Sequence, residues 1–347
     1  MMRSVFISIL LILVSFLSFG QEQNKHIIMF YNVENLFDIY DDPVVRDDEF
    51  TPDGPKAWTD AKYRKKLGNI EEVIYSLAAS KHNYPAIIGV SEIENRRVLD
   101  DLVSTSKLAR ANYQIVHYDS PEARGVDVAL LYRPDIFKYE KSDVFQPEIP
   151  ERPGFKTRDI LAVYGTIEGE LFCFFVNHWS SRIGGAEQSE FLRVGCAQTL
   201  RDYADSIQVA HPDIKIVIMG DMNDDPKDRS LSEVLGAKEK ISKVKPGGFF
   251  NPFWSMQKAG YGTLGYQDSW SLFDNMVINY NLLPDSGVGE LKVQKGARNK
   301  FYGTVFKRPF MVQEDGKYKN YPWRTFSGNT FLGGYSDHFP VYIEIGK

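Results

Sequence analysis

Short apolar segments rich in β-branched and aromatic residues recur along the chain, and several follow one another without a helix-like stretch between them. Such segments predict strands that are buried on both faces. Because strands and helices do not alternate strictly, a simple parallel β-α-β series is excluded. Mixed sheets with outer helices are favoured, which is an α/β (α+β) architecture. The expected strands span residues 26–32, 86–91, 113–118, 126–132, 160–167, 171–177, 214–219, 275–279 and 341–345.

Helical periodicity marks the segments that separate some of these strands. Thr59 is a candidate N-cap for a first helix, whose apolar stripe is formed by Tyr63, Leu67, Ile70, Ile74 and Leu77. Further helices are predicted over residues 96–109, 187–209 and 230–235. The sequence contains no internal repeat and no low-complexity linker, so we expect a single domain over residues 21–347.

Residues 1–20 have the layout of a secretory signal peptide. Arg3 precedes an apolar run of about fifteen residues that ends at Phe19, and the chain becomes polar after Gly20. An uncleaved anchor helix is the alternative, but the run is shorter than the roughly 20 residues that a bilayer span needs. We therefore expect cleavage near Gly20, a secreted or periplasmic location, and a mature protein without stable membrane association.

The charge of the chain is polarised, although its formal net charge is only −5. Residues 34–60 are mainly acidic, whereas residues 291–324 carry nine basic side chains against Glu314 and Asp315 and are interleaved with aromatic residues. A negative total argues against nucleic-acid binding through a general positive field. We interpret residues 291–324 as a long basic insertion between the last two strands, suited to contact with a polyanion.

The chain contains two cysteines, Cys173 in an apolar strand-like run and Cys196 in a predicted helix. Two cysteines do not make a disulfide framework, and we expect two buried free thiols that pack as small apolar side chains. A single bridge between them is the alternative in an exported protein.

Polar side chains follow the apolar strands at the points where the strands end. Because strand ends converge at one edge of a sheet while the loops diverge, sites are commonly built there. Each motif alone has an ordinary structural explanation, and it is their combination and order that indicate a site. The motifs are Asn32-Val-Glu-Asn35, Ser91-Glu92-Ile93, Asn177-His178-Trp179, Gly220-Asp-Met-Asn223, Asp274 after a short apolar run, and Ser336-Asp337-His338-Phe-Pro340.

The residue types in these motifs suit hydrolysis of a phosphate ester. Carboxylate and amide oxygens are hard ligands for Mg²⁺, with Mn²⁺ or Ca²⁺ as alternatives. Zn²⁺ is less suited, because no thiolate or histidine pair has ligand spacing. Histidines beside carboxylates transfer protons or stabilise charge near neutral pH. A bound metal neutralises phosphate charge and lowers the pKa of a bound water.

These motifs, in this order, resemble the endonuclease/exonuclease/phosphatase superfamily of deoxyribonuclease I-like proteins, in a secreted bacterial branch. The resemblance covers nearly all of residues 26–346. It implies a four-layer fold in which two mixed β-sheets pack face to face between outer helices. It also implies that Glu92 is the principal metal ligand, with Asn32 beside the metal and Asp337 in the metal-side network.

The same resemblance implies the catalytic roles of five residues. His178 contacts the phosphate or the leaving oxygen. Asp221 and Asn223 position the nucleophilic water and bind the phosphate. Asp274 orients His338. These roles imply in-line attack by water without a covalent enzyme intermediate, with most of the rate supplied by positioning and electrostatics.

Four other residues are candidates on local grounds. Arg182, in a glycine-rich loop after His178, and Arg158 are expected to contact a second phosphate, with solvated surface arginines as the alternative. Trp179 is expected to stack on a base or sugar, with a core aromatic as the alternative. Asp127 is the candidate for the acid that orients His178, with a solvated turn residue as the alternative.

The resulting expectation is a secreted, metal-dependent phosphodiesterase that degrades DNA or RNA, because the basic and aromatic segment 291–324 favours a long polyanion. The alternative is the same chemistry on sphingomyelin, an inositol phosphate or another small phosphate ester. A non-catalytic binding protein with this fold is the remote alternative, since the carboxylates, the amides and both histidines are intact. No protein partner is predicted.

Overall fold

The computed structural model describes residues 25–296 and 300–347, and the expected signal peptide at residues 1–20 lies outside the described residues. Within the described residues the helices are α1 (Asp60–Lys81), α2 (Arg96–Val103), α3 (Glu190–Ala210) and α4 (Trp254–Lys258). In chain order the strands are β1 (His26–Leu36), β2 (Ile87–Ile93), β3 (Gln114–His117), β4 (Asp127–Tyr132), β5 (Phe137–Phe145), β6 (Ile160–Ile167), β7 (Glu170–His178), β8 (Lys215–Asp221), β9 (Phe249–Phe250), β10 (Leu264–Tyr266), β11 (Ser269–Ser271), β12 (Asp274–Asn279), β13 (Lys292–Gln294), β14 (Gly303–Val305), β15 (Phe326–Ser327), β16 (Thr330–Phe331) and β17 (Val341–Gly346).

Two mixed sheets contain most of these strands. The first has the order β13-β17-β1-β2-β4-β3, with β14 also paired to β17, and the second has the order β5-β6-β7-β8-β12-β9. In each sheet one central pair is parallel, β1 with β2 and β7 with β8. The other pairs of these two sheets are antiparallel. Each parallel pair therefore brings two carboxyl-terminal strand ends to one edge of its sheet.

Alternation of side chains along the central strands separates the layers of the core. In β1, Ile28 and Phe30 pack between the two sheets, whereas Met29 and Tyr31 belong to the cluster that contains α1 and α2. In β8, Met219 faces the other sheet, whereas Ile216 and Ile218 belong to the cluster that contains α3. The molecule is thus a four-layer α/β/β/α sandwich, and the predicted fold is confirmed.

The predicted elements are present with some changes in length. All nine predicted strands occur, as do the helices predicted after Thr59 and over 187–209. The helix predicted over 96–109 is shorter, because α2 ends at Val103 and a separate 3₁₀ turn follows at Leu108–Ala111. The helix predicted over 230–235 is a single π-helical turn, Ser230–Val234.

Two features of the sheets were not predicted. Strand β5 is an edge strand whose side chains are largely exposed, so it lacks the apolar pattern of a buried strand. In segment 291–324, expected as an insertion, β13 and β14 pair with successive parts of β17 and extend the first sheet. The end of the segment reaches the strand-end motifs, since Arg324 bonds Asp337.

The two cysteines occur as free thiols. Cys173 and Cys196 are buried and unpaired, as expected for packing residues. Among the residues that the structure describes, no helix has the length and apolar character required to cross a bilayer.

Two glycines offer a matched test of how tightly the central strands pack. At Gly220 in β8, an added Cβ would lie 2.4 Å from the backbone oxygen of Asn177 in β7, so the strands must shift. At Gly68 in α1, an added Cβ would meet nothing within 4 Å. We expect Gly220→Ala to lower the free energy of unfolding by about 1–3 kcal/mol, and Gly68→Ala to raise it by up to about 1 kcal/mol. Urea denaturation measures both changes, and equal effects would contradict the packing of β7 against β8.

Candidate active site

The ends of the two parallel strand pairs bring the predicted motifs together. In the first sheet, the register of β1 and β2 places Asn32 and Glu92 at the same edge. In the second sheet, His178 of β7, Asp221 of β8 and Asp274 of β12 lie in one row of the register. Side chains from both sheets therefore meet at one end of the sheet-sheet core.

Each sheet ends at this site in backbone that non-glycine residues rarely adopt. The φ angles of Glu34, Glu92 and Asn223 are +53°, +62° and +50°, in the left-handed region. In the first sheet, Asn32 Oδ1 accepts the amide of Glu34 at 2.9 Å. In the second, Asp221 Oδ1 accepts the amide of Asn223 at 2.9 Å. Strained backbone of this kind is concentrated at functional sites, where the surrounding structure holds it.

The side-chain amide of Asn32 joins the two sheets. Its Nδ2 donates to Glu92 Oε1 at 3.2 Å and to Asp221 Oδ2 at 3.0 Å, so one amide binds a carboxylate from each sheet. The other Glu92 oxygen, Oε2, accepts the backbone amide of Asn35 at 3.0 Å. Asn32 and Asp221 are buried, whereas Glu92 is partly exposed. The two carboxylates therefore have fixed positions at the floor of the site.

His338 is surrounded by three carboxylates. Its Nδ1 lies 2.7 Å from Asp274 Oδ2. Its Nε2 lies 3.8 Å from Asp221 Oδ2 and 3.9 Å from Asp337 Oδ1. Burial alone lowers the pKa of this imidazole, but the carboxylates, Asp274 first, outweigh burial and hold the pKa of His338 well above 6.5. The structure thus places Asp274 against His338, as the sequence analysis expected, and His338 carries a proton at neutral pH.

His178 has the opposite electrostatic environment. Its Nε2 lies 3.8 Å from both Glu92 Oε1 and Asp221 Oδ2. Burial, followed by the positive charge of Arg158, lowers the pKa of His178 well below 6.5. At neutral pH this imidazole is therefore uncharged while that of His338 is protonated, which separates the chemistry open to the two histidines.

Asp221 lies between the two imidazoles. Its Oδ2 is 3.8 Å from the Nε2 atoms of both His178 and His338. Burial raises the pKa of the Asp221 carboxyl to about 6, and the positive charge of His338 partly offsets that effect. A carboxylate with this pKa and position is suited to accept a proton from water.

Glu92, His178 and Asp221 form a group that suits a divalent cation. One ligand atom from each lies within 4.8 Å of the others. The two carboxylates supply hard oxygen donors, and the low pKa of His178 leaves a neutral imidazole nitrogen. The donor set therefore fits a hard divalent cation, and Glu92 is one of its three members.

A charged network behind the catalytic groups was not predicted from the sequence. Arg324 Nη2 donates to Asp337 Oδ2 at 2.6 Å, so Asp337 faces this arginine as well as the site. Glu34 Oε2 accepts the amide of Thr325 at 2.6 Å and lies 4.0 Å from the buried ammonium of Lys66. Burial raises the pKa of Glu34 to about 7 and lowers that of Lys66 to about 8. The position of Lys66 on the apolar face of α1 was the available sequence signal.

Two residues expected to bind substrate are part of the interior, and both expectations are wrong. Trp179 is 1% exposed and its Nε1 donates to Asn177 Oδ1 at 3.1 Å, so a base or sugar has no access to the ring. Arg158 is buried, and its guanidinium donates to the backbone oxygens of His178 and Trp179 at 3.1 and 2.7 Å. Arg158 therefore supports the end of β7 and does not face a second phosphate.

The guanidinium of Arg182 is hydrogen-bonded to neighbouring groups of the chain, which corrects its expected role at a second phosphate. Its Nη2 lies 3.0 Å from Asp224 Oδ1 and 2.6 Å from Asp228 Oδ2. Its Nε donates to the backbone oxygen of Asn223 at 2.7 Å, and Asn223 Nδ2 donates to the backbone oxygen of Trp179 at 3.0 Å. Arg182 is thus a positioning residue for the turn that carries Asn223.

Asp127 does not orient His178, and this expectation is also wrong. Its Oδ2 lies 3.3 Å from His117 Nε2, and its Oδ1 accepts the amide of Ser120 at 2.9 Å. The Nδ1 atom of His178 has no hydrogen-bond partner among the described residues. The expectation fails because Asp127 begins β4 in the first sheet and is bound by the end of β3 and the loop after it, whereas His178 ends β7 in the second sheet.

One basic residue near the site was missed. Arg124 is exposed in the loop between β3 and β4 and pairs with Glu122, with Nε and Oε1 3.5 Å apart. After burial and Arg158, its charge is the next cause of the low pKa of His178. Arg124 therefore adds an exposed positive charge to the electrostatic environment of His178.

The sequence profile of the Endonuclease/Exonuclease/phosphatase family matches residues 27–347. The chain belongs to this family. Its members are phosphoric ester hydrolases that depend on a divalent metal, so the chain is an enzyme of that class. No curated protein sequence matches the chain.

Solved structures with this fold match nearly the whole chain at low sequence identity. The D. rerio TDP2 structure, complexed with single strand DNA product, is 14% identical over 93% of this chain and 100% of its own, with a TM-score of 0.55. The Bacteroides thetaiotaomicron mannosyl-6-phosphatase is 18% identical over 93% and 100%, with a TM-score of 0.54. The human Nocturnin catalytic domain with bound sulfate anion is 14% identical over 93% and 95%, with a TM-score of 0.52. At these identities, the solved structures establish only the fold of this chain.

The protonated state of His338 predicts the alkaline limb of activity. Asp274→Asn removes the carboxylate that contributes most to the raised pKa of His338 and leaves a side chain of similar size. The imidazole then loses its proton at a lower pH, so activity that needs the protonated form should decline at a lower pH. A pH profile of kcat/KM measures this shift.

The control for this profile is Asp213→Asn, at an exposed carboxylate after α3, which should leave the profile unchanged. An alkaline limb at the same pH in the unchanged protein and in Asp274→Asn would show that activity does not depend on the proton of His338.

Proposed function

We propose that this phosphoesterase is an exported nuclease that hydrolyses phosphodiester bonds of DNA or RNA with Mg²⁺. The observation that carries the proposal is the position of the basic, aromatic segment 291–324, whose end borders the site. Arg324 bonds Asp337 at 2.6 Å, and Lys317 and Tyr318 line the same cleft as Asp337. A polyanion with one phosphate at the site therefore continues over basic side chains, where its other phosphates are neutralised.

A second positive group, Arg124, supports the same proposal. Arg124 is exposed in the loop between β3 and β4, and its positive charge contributes to the low pKa of His178. Arg324 belongs to the basic segment that follows β14. Arg124 and Arg324 thus bring positive charge toward the site from two separate parts of the chain, which suits a substrate with several phosphates.

The side chains are arranged for in-line attack by water. Asp221, between the two imidazoles, accepts a proton from the attacking water, and the neighbouring Asn223 helps to hold that water. Protonated His338 stabilises the negative charge of the crowded phosphate, and neutral His178 directs Nε2 to the same space. The cation that Glu92 would hold, with Asp221 and His178 nearby, supplies further neutralisation of phosphate charge.

Mg²⁺ is the proposed cation because the site offers carboxylate and amide oxygens, with Mn²⁺ or Ca²⁺ as alternatives. Export is proposed from the signal-peptide layout of residues 1–20. An exported nuclease meets nucleic acid released outside the cell, which is consistent with the substrate proposed.

The solved structures support two candidate substrates. A relative of this fold, D. rerio TDP2, is bound to a single strand DNA product, which supports a nucleic-acid substrate. The B. thetaiotaomicron mannosyl-6-phosphatase supports a second candidate, a phosphatase for a small sugar phosphate. The basic segment favours the first, because Lys307, Lys317 and Arg324 spread positive charge over more surface than a small ester can contact.

The assay is hydrolysis by the mature protein, residues 21–347, of plasmid DNA, single-stranded DNA, RNA, a sugar phosphate and sphingomyelin. We expect cleavage of nucleic acid with Mg²⁺ and none with EDTA. Asp221→Asn and His338→Ala should each lower kcat at least about a hundredfold, because each removes a group that acts on the reacting phosphate or water.

Matched controls are Asp213→Asn and His211→Ala, at exposed residues after α3, which should keep kcat within about twofold. Hydrolysis of a small ester with nucleic acid left intact would overturn the nuclease proposal and leave the site in place. Full activity in Asp221→Asn and His338→Ala would overturn the site.

A further inference from the structure

A cleft of about 590 Å³ opens beside the catalytic centre. One wall is the β10–β11 hairpin, which contributes Tyr266, and the other is the end of the basic segment, which contributes Lys317, Tyr318 and Tyr321. We call this space the tyrosine cleft. Asp337 also lines it, so the cleft and the catalytic centre share a boundary.

Contacts between the two walls give the tyrosine cleft a defined width. Tyr321 Oη lies 3.5 Å from Asp268 Oδ1, and the Tyr321 ring packs against Trp270 with centroids 5.4 Å apart. Gly265 faces the Tyr321 ring, where an added Cβ would lie 2.8 Å away. Gln267 and Asp268, at the hairpin tip, have φ angles of +47° and +60°, as a tight two-residue hairpin turn requires. The spacing of the two walls is therefore set by contacts between them and by the hairpin turn.

The inner end of the tyrosine cleft leads to His338, beside which the reacting phosphate is proposed to bind. Asp337 accepts Arg324 Nη2 through Oδ2, and its Oδ1 lies 3.9 Å from Nε2 of His338. The cleft therefore begins next to Asp337 and Arg324, directly beyond a phosphate that is bound at His338. In a nucleic acid the next group along the chain is a sugar that carries a base.

The lining of the cleft favours a flat aromatic group attached to an anion. Tyr266 and Tyr318 are 67% and 45% exposed, and the Lys317 ammonium lies 5.5 Å over the Tyr318 ring. Nucleobases stack on such rings whatever their sequence, while neighbouring cations bind the backbone. A base inside a duplex is stacked on its neighbours and must leave the duplex before it can enter a pocket.

We propose that the tyrosine cleft binds an unpaired nucleobase next to the scissile phosphate, so that single-stranded nucleic acid is preferred over duplex. This inference rests on the proposed nuclease function. Outside the cleft, the Lys307 ammonium lies 5.1 Å over the rings of Trp270 and Phe339, which extends the positive surface toward further phosphates. A small sugar phosphate would leave that surface without a partner.

The test uses oligonucleotides of one sequence as single strand, as duplex and as a single strand with an abasic site beside the cleavage position. The unchanged protein should have the lowest KM for the intact single strand, and the abasic site should raise KM about tenfold or more. Tyr266→Ala and Tyr318→Ala should raise KM for the intact strand by a similar factor and leave that for the abasic strand unchanged. Tyr139→Ala, at a 41% exposed tyrosine on β5, is the matched control and should change neither.

The outcomes separate this inference from the nuclease proposal. Equal KM values for intact and abasic strands, or unchanged KM values in both tyrosine variants, would overturn the cleft inference while the nuclease proposal stands. Failure of the unchanged protein to cleave any nucleic acid would overturn both. If a tyrosine variant does not fold, binding of a strand with 2-aminopurine beside the cleavage position to Asp221→Asn protein decides the question. Quenched fluorescence supports stacking in the cleft, and unchanged fluorescence overturns it.

Discussion

The hydrogen bond between Asn32 and Asp221 connects the ends of two sheets whose other contacts are mainly apolar. The amide of Asn32, at the end of β1, reaches Asp221 of the opposite sheet at 3.0 Å. The backbone oxygen of Asn32 accepts a hydrogen bond from Ser336 Oγ at 2.7 Å. Ser336 Oγ in turn accepts one from the backbone amide of His338 at 3.0 Å. Three separate parts of the chain are thereby held in one arrangement. A shift of one sheet against the other would change the distances from Asp221 to both imidazoles, so core packing and site geometry depend on each other.

Neighbouring charged groups give the two buried histidines different charges. Both imidazoles are buried against Asp221, but His338 also faces Asp274, whereas His178 lies near Arg158. Desolvation lowers the pKa of each imidazole, and the neighbouring carboxylates reverse the effect only at His338. One neutral and one protonated imidazole then face the same carboxylate. In the proposed mechanism, that combination supplies a base, a hydrogen-bonding group and a positive charge for one phosphate without a covalent step.

The sequence predicted the fold and the convergence of the motifs because both depend on local pattern. Apolar runs and the order of the polar strand ends are visible in one dimension, and Asn32, Glu92, Asp221 and His338 do meet. The direction of individual side chains was predicted less well. Trp179 follows His178 along a strand end, so period-two alternation turns it toward the core below α3. The alternation was available in the sequence and outweighs the general preference of aromatics for nucleobases.

The expected roles of Arg158 and Arg182 were wrong for a different reason. The partners of a long side chain depend on the three-dimensional fold and are not visible in local sequence. Arg182 pairs with Asp224 and Asp228, which lie more than forty positions along the chain. The central claim is that carboxylates from two sheets form one cation and phosphate site, and anomalous diffraction from crystals soaked in Mn²⁺ tests it most directly. We predict an anomalous peak for Mn²⁺ at coordination distance from the Glu92 carboxylate, in the space shared with Asp221 and His178. Metal-dependent activity together with a Mn²⁺ peak away from Glu92 would contradict the claim.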